Sequence, residues 1–119
     1  TVGLAHTAAV LYTSGTSGKP KGVVYSQAMV NHEASNFACC TEMAAESVGI
    51  VKSPYYWGGI VWEVFSTLTR GARSVITSST GHKEPAYLAE AIRDEQVTIA
   101  FFTPKLLEVL LDCHAAGSH

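Results

Sequence analysis

Between Tyr12 and Val23 the chain runs Thr13-Ser14-Gly15-Thr16-Ser17-Gly18-Lys19-Pro20-Lys21-Gly22. Hydroxyls, glycines and lysines in one short run are what phosphate binding requires. Glycine lets backbone N–H groups approach closely, Thr and Ser hydroxyls donate to phosphate oxygens, and lysine balances their charge. A solvated Gly/Ser linker shares this composition, so the order of residues has to decide. The nucleotide loop G-x-x-x-x-G-K-[ST] fails, because Gly15 and Gly18 stand too close together and Pro20 follows Lys19. The hydrolase elbow G-x-S-x-G fails as well, with Lys19 where its second glycine belongs.

The elements that must position this loop are legible in outline. Val10-Leu11-Tyr12 reads as a short strand running into it and Val23-Val24-Tyr25 as a strand leaving it. Ser26 is placed to cap a helix in which Val30, Ala34, Phe37 and Ala38 recur at helical spacing. A strand over Val48 to Val51 ends before Pro54, and Val61, Val64, Phe65 and Leu68 predict the buried stripe of a helix that Gly71 terminates. Arg73 to Thr77 suits a strand, Pro85 opens a helix presenting Leu88, Ala91 and Ile92, and Val97 to Phe102 reads as another strand. Thr103 and Pro104 begin a last helix with Leu107, Leu110 and Leu111 facing inward. Strands and helices alternate throughout, so the class is α/β.

With 119 residues and 47% hydrophobic content, one cooperative unit with a packed core is expected. Eight Lys+Arg against ten Asp+Glu leave no basic excess for a nucleic-acid backbone. No apolar run reaches the roughly 20 residues of a membrane span and no basic, apolar leader opens the chain, so neither nucleic acid nor membrane is expected as a partner and a cytoplasmic setting is. Cys39, Cys40 and Cys113 do not form a disulfide framework, and no Cys-x-x-Cys or His-x-x-x-His spacing aims them and His114 at a metal.

The run from Leu11 to Val23 resembles, at nearly every position, the signature of the AMP-binding superfamily of acyl-, aryl- and aminoacyl-adenylating enzymes. Val61-Trp62-Glu63-Val64-Phe65, Arg70-Gly71-Ala72 and Val97-Thr98 with Thr103-Pro104 are similar in particular to the adenylation domains of nonribosomal peptide synthetases. The resemblance covers most of the chain and implies a partial piece of the large N-terminal domain of adenylate-forming enzymes. It further implies ATP with Mg2+, activation of a carboxylic acid as its adenylate, and transfer of the acyl group to a thiol. That thiol is the phosphopantetheine of a carrier protein domain or coenzyme A. By position in the motif, Thr13, Ser14, Gly15, Thr16, Ser17 and Gly18 would wrap the phosphates. Lys21 would take the catalytic role of offsetting the charge of departing pyrophosphate. Lys19 is variable in the family pattern and is assigned to the surface.

In the peptide-synthetase branch an aspartate commonly stands four residues before the Trp-Glu pair, where it meets the substrate α-ammonium. Gly58 occupies that position here. Burying an ammonium without an anionic partner costs several kcal/mol, so the resemblance implies a substrate lacking an α-ammonium. By the same matching Gly59, Trp62 and Phe101 line the acyl pocket and Trp57 stands at its entrance. Two glycines would make room, and aromatic walls favour a flat or apolar acid, of the aryl, phenylpropanoid, keto or hydroxy class. Tyr55 and Tyr56 are equally explained by core packing. His32 is a lone helical histidine of the kind usually found exposed or packed. Glu63 is read as structural, since a carboxylate substrate is already ionised near neutral pH and needs no general base.

Family members carry further nucleotide motifs and a C-terminal lysine downstream, none of them in this chain, and its end, Ala-Ala-Gly-Ser-His, follows a helix directly. Residues 1–119 are therefore expected to be a partial adenylation domain, cut at an artificial boundary or by a truncated read and inactive alone. An acyl- or aryl-CoA ligase piece and a non-catalytic phosphate- or partner-binding truncation remain the alternatives.

Overall fold

A computed structural model describes residues 1–116. The last three residues of the Ala-Ala-Gly-Ser-His tail, 117–119, lie outside the described residues. Strand β1 (Thr7–Thr13) and strand β2 (Lys21–Ser26) pair antiparallel, Leu11 opposite Val23 and Thr13 opposite Lys21, so the hydroxyl- and glycine-rich run is the loop of a hairpin. Helix α1 (Gln27–Cys40) follows without a linker. Its first N–H groups find partners outside the helix. Gln27 donates to the His6 carbonyl at 2.9 Å, Ala28 to that of Leu4 at 2.9 Å, and Met29 to Ser26 Oγ at 3.2 Å. The capping role expected of Ser26 is thus met. Val30, Ala34 and Ala38, four residues apart, are the buried face.

Strand β3 (Val48–Val51) and strand β4 (Arg73–Ile76) form a parallel pair, Ile50 opposite Val75. The connection between them is a five-residue π-helical turn, Val61–Phe65, continuing into helix α2 (Ser66–Thr69). Gly71, at φ 69°, ends it, as the sequence predicted. The helix lies close on the sheet, since a Cβ on Gly49 would come within 2.3 Å of Thr67 Cγ2. Thr67 Oγ1 in turn bonds the Glu63 carbonyl at 2.8 Å and Ser74 Oγ of β4 at 2.7 Å. After a 3-10 turn at Gly81–Lys83, helix α3 (Pro85–Asp94) and helix α4 (Pro104–Ala116) close the unit over a core of Ile50, Leu88 and Leu110.

Three expectations need correction. The inward face of the Val61–Thr69 segment is Val61, Glu63, Ser66 and Thr67, while Phe65 and Leu68 are exposed. The wider π turn shifts the phase of the residues after it, and polar side chains fill the inward positions. Ser66 Oγ, fully buried, has no partner among the described residues. Val97 to Phe102 is not a strand. Thr98 and Ile99 both donate to the Val48 carbonyl, and Thr98 Oγ1 takes the Val48 N–H at 2.9 Å, so a side chain occupies the donor a ladder would use. One bridge, Gly49 with Ile99, is what remains of it. In α4, Leu107 and Leu111 are exposed, and Leu106 joins Leu110 against the core.

One ion pair sits inside this frame. Glu63 bonds Lys52 Nζ at 3.0 Å, and its two oxygens also accept from the backbone N–H of Lys52 (2.9 Å) and of Ser53 (2.7 Å) and from Ser53 Oγ (2.8 Å). Both side chains are almost completely buried, 6% and 2% exposed. Replacing Glu63 by Ala strands a buried ammonium and is expected to lower the unfolding free energy by about 3–5 kcal/mol. Urea denaturation would register this as a lower midpoint at unchanged slope. The pair Lys52→Met with Glu63→Leu removes both charges and is expected to lose much less. Equal losses in the two variants would mean that charge is not what the packing depends on.

Candidate functional site

The hairpin loop is held by backbone geometry more than by contacts. Gly15 and Gly18 adopt φ of 64° and 76°, the left-handed region, and a Cβ on Gly15 would lie 2.4 Å from the Lys19 carbonyl oxygen. Register places Thr13 directly opposite Lys21 at the loop's mouth. Lys19 is exposed, and so are Thr13, Ser14, Thr16, Ser17 and Lys21. Among the described residues no protein group engages their hydroxyls or ammonium groups. These donors stay available to a ligand.

Trp57, Trp62 and Phe101 converge although they come from three segments. Trp62 lies 4.9 Å from Phe101 and 6.2 Å from Trp57 between ring centroids, Trp57 lies 6.0 Å from Phe101, and Phe37 of α1 stacks on Trp62 at 6.5 Å. Lys52 Nζ, fixed by Glu63, sits 5.6 Å from the Phe101 ring centre and 5.2 Å from that of Phe102. Two clefts meet at Trp62. The smaller, about 250 Å3, is lined by Leu11, Tyr12 and Thr13 of β1, Val23 and Tyr25 of β2, Glu33 of α1, and Tyr56, Trp57, Gly58, Gly59 and Trp62. The larger, about 420 Å3, is lined by His32, Glu33, Asn36, Phe37 and Cys40 of α1 with Trp62 and Phe101.

The structure therefore brings Thr13, Trp57, Gly58, Gly59 and Trp62 to one cleft and Phe101 to the cleft beside it. Ser14 to Gly18 and Lys21 line neither. The expectation that two glycines make room for the acid is corrected in part. A Cβ on Gly59 would sit 2.2 Å from the Trp57 ring, so the space at Gly59 belongs to Trp57. A Cβ on Gly58 would meet the Tyr25 hydroxyl at 3.2 Å, so Tyr25 borders the volume where an aspartate side chain would begin. Tyr55, 83% exposed, is not core, and it meets Tyr56 edge-on at 5.6 Å. His32 is exposed on the rim of the larger cleft. Sequence reasoning missed Tyr25, Phe37 and Glu33 as lining residues. For Glu33 a signal existed: it lies three residues after Val30 and four before Phe37, a carboxylate on the edge of the apolar face.

Cys39 and Cys40 are exposed, Cys39 Sγ accepting from Arg70 Nη2 at 3.3 Å. Among the described residues no three His, Cys, Asp or Glu side chains form a metal-binding group, and no helix is long and apolar enough to cross a membrane.

Gly59→Ala is expected to expel the Trp57 ring from its place over Trp62 at a cost of about 1–3 kcal/mol. The near-UV circular dichroism of the tryptophans should fall. An unchanged spectrum and an unchanged urea midpoint would mean that Trp57 does not need that space.

Residues 2–119 match the family model described as AMP-binding enzyme. The chain is 37% identical over 106 residues to tyrocidine synthase 3 of Brevibacillus parabrevis, an alignment that covers 86% of this chain and 2% of that protein. The nonribosomal peptide synthetase FmoA3, solved with α-methyl-L-serine-AMP bound, superposes with a TM-score of 0.86 at 28% identity over 98% of this chain and 13% of that one. The o-succinylbenzoate CoA synthetase of Bacillus subtilis, solved with its acyl-adenylate, shares the fold at a TM-score of 0.79 and 22% identity, over 93% of this chain and 28% of that one. This chain thus spans a small part of the length of each relative. With nearly its whole length inside the family model and this fold beneath it, the chain belongs to the AMP-binding enzyme family.

Proposed function

We propose that this chain is the phosphate-loop part of an adenylation domain that activates a carboxylic acid with ATP, for transfer to the phosphopantetheine thiol of a carrier protein domain. One observation carries the reading. Thr13, at the root of the loop, shares a single cleft with Trp57, Gly58, Gly59 and Trp62. A nucleotide gripped by the loop would therefore face an acid lying on Trp62. A carboxylate oxygen attacks the α-phosphorus, a bond to phosphorus forms there, and the bond to the pyrophosphate oxygen breaks.

Negative charge gathers on the departing pyrophosphate, and donors already in place lower that barrier because they need no reorganisation. Thr13, Ser14, Thr16 and Ser17 supply hydroxyls, Gly15 and Gly18 let the backbone amides turn toward the phosphates, and Lys21 supplies the cation opposite Thr13. The described residues offer no carboxylate cluster for magnesium, so no step is assigned to it. Coenzyme A is the second acceptor to consider, since a CoA synthetase shares the fold. The higher identity to peptide synthetases favours the carrier thiol. The aromatic walls, with Gly58 and the Tyr25 hydroxyl where an aspartate would stand, favour an acid without an α-ammonium, of the aryl, keto or hydroxy class.

Residues 1–119 by themselves are expected to give no acid-dependent exchange of pyrophosphate into ATP, because they form one wall of the site. In the full-length protein that carries this chain, Lys21→Ala is expected to lower kcat by about 10²–10³. Thr13→Ala with Thr16→Ala should cost about tenfold or more. Full exchange activity with all three replaced would end the assignment of this loop to the polyphosphate.

A further inference from the structure

We propose that Glu33 is the substrate-selecting carboxylate of this site, and that the acid it selects carries a protonated amine remote from the reacting carboxyl. The proposal rests on the reading of the two clefts as the acyl site. Glu33 and Trp62 are the two side chains that line both clefts, so a ligand reaching from one into the other passes between them. Glu33 is half-buried, and no hydrogen-bond donor or cation among the described residues engages its carboxylate. The other acid near these walls, Glu63, is neutralised by Lys52 and three further donors. Glu33 is the anion left over.

Its surroundings suit an ammonium. Phe37, one helical turn on, stacks on Trp62, and Phe101 stands 4.9 Å beyond, so the carboxylate borders an aromatic wall. An ammonium between a carboxylate and aromatic faces gains from both the charge and the ring quadrupoles. A neutral apolar acid would leave the Glu33 carboxylate desolvated without a partner.

The position of the amine follows from the two ends of the path. The carboxyl must lie toward Thr13, the part of the smaller cleft nearest the loop. Next to it, where an α-ammonium would sit, Gly58 offers no anion and the Tyr25 hydroxyl borders the space. Glu33 also lines the larger cleft, which Thr13 and Gly58 do not, so its carboxylate is open to a group that extends there past the smaller cleft. An amine on the distal part of an aryl or extended aliphatic acid reaches it.

The test compares para-(aminomethyl)benzoic acid with para-ethylbenzoic acid, which match in shape and differ in charge, and includes phenylalanine as an α-amino acid. Acid-dependent pyrophosphate exchange is measured on the full-length protein and on its Glu33→Gln and Glu33→Asp variants. The native protein is expected to prefer the aminomethyl acid over the ethyl acid in kcat/KM. Glu33→Gln should lower that ratio about ten- to hundredfold, chiefly through KM, while Glu33→Asp retains part of it. A ratio unchanged by Glu33→Gln, or equal losses for both acids, overturns the role of Glu33 and leaves the adenylation reading standing. A native preference for phenylalanine that Glu33→Gln abolishes overturns the remote placement of the amine. No exchange with any carboxylic acid overturns the adenylation reading, and this inference with it.

Discussion

The buried carboxylate of Glu63 is the constraint on which the rest of this structure depends. It ties the segment leaving β3, through the amides of Lys52 and Ser53, to the π turn that leads into α2. Its salt bridge aims Lys52 Nζ at the Phe101 and Phe102 rings, so a third segment, beyond α3, is placed by the same group. Trp62 precedes Glu63 in the chain and inherits its position. A buried ion pair is seldom more stabilising than apolar side chains of equal volume, because desolvation offsets much of the attraction. What it supplies here is register. A carboxylate with four donors on it tolerates one arrangement of the turn, and that arrangement carries Trp62 to the meeting point of the clefts.

The hairpin loop between β1 and β2 is built on the opposite principle. Its shape comes from two left-handed glycines and the antiparallel register of β1 and β2, with hydroxyl donors left unpaired and exposed. Exposed donors already bonded to water exchange one partner for another when an anion arrives, so little is lost in redirecting them. The aromatic wall of Trp57, Trp62 and Phe101 is built differently, its faces packed against one another before any ligand comes. Under the proposed reading it would select an organic acid mainly by excluding water. Thr13, at the root of the adaptable loop, is the residue that reaches the cleft lined by the packed Trp57 and Trp62.

The sequence was most readable where one physical rule acted alone. The cap at Ser26 and the Val30–Ala34–Ala38 face of α1, the Pro85 start of α3 and the Gly71 stop of α2 depend on local geometry and helical period, and each stands where expected. Failures came where a polar side chain outcompeted the pattern. Thr98 Oγ1 captured the Val48 N–H and ended the strand expected over Val97–Phe102 after one bridge. Glu63, Ser66 and Thr67 took the inward positions that apolar spacing assigned to Phe65 and Leu68. The first is non-local, its partners 50 residues apart, and the second follows from the change of helix type, which period counting does not foresee. The convergence of Trp57, Trp62 and Phe101 was legible only through family resemblance. No local periodicity joins residues from three segments.

Glu33 and Gly58 together explain why the anion of a site matters by its mount as well as its charge. A carboxylate at position 58 would hang from an irregular segment beside Trp57, where Tyr25 already stands within 3.2 Å of its first carbon. Glu33 is instead carried by a helix whose start is pinned by Ser26, His6 and Leu4 and whose inward face is locked by Val30, Ala34 and Ala38. The charge on the helix borders the larger cleft as well as the smaller one, whereas position 58 borders the smaller one. The desolvation cost of an unpaired carboxylate then falls at the distal end of the acid. Under the proposed role of Glu33, discrimination between acids would shift with it, from the α-carbon to the group that ends the acyl chain.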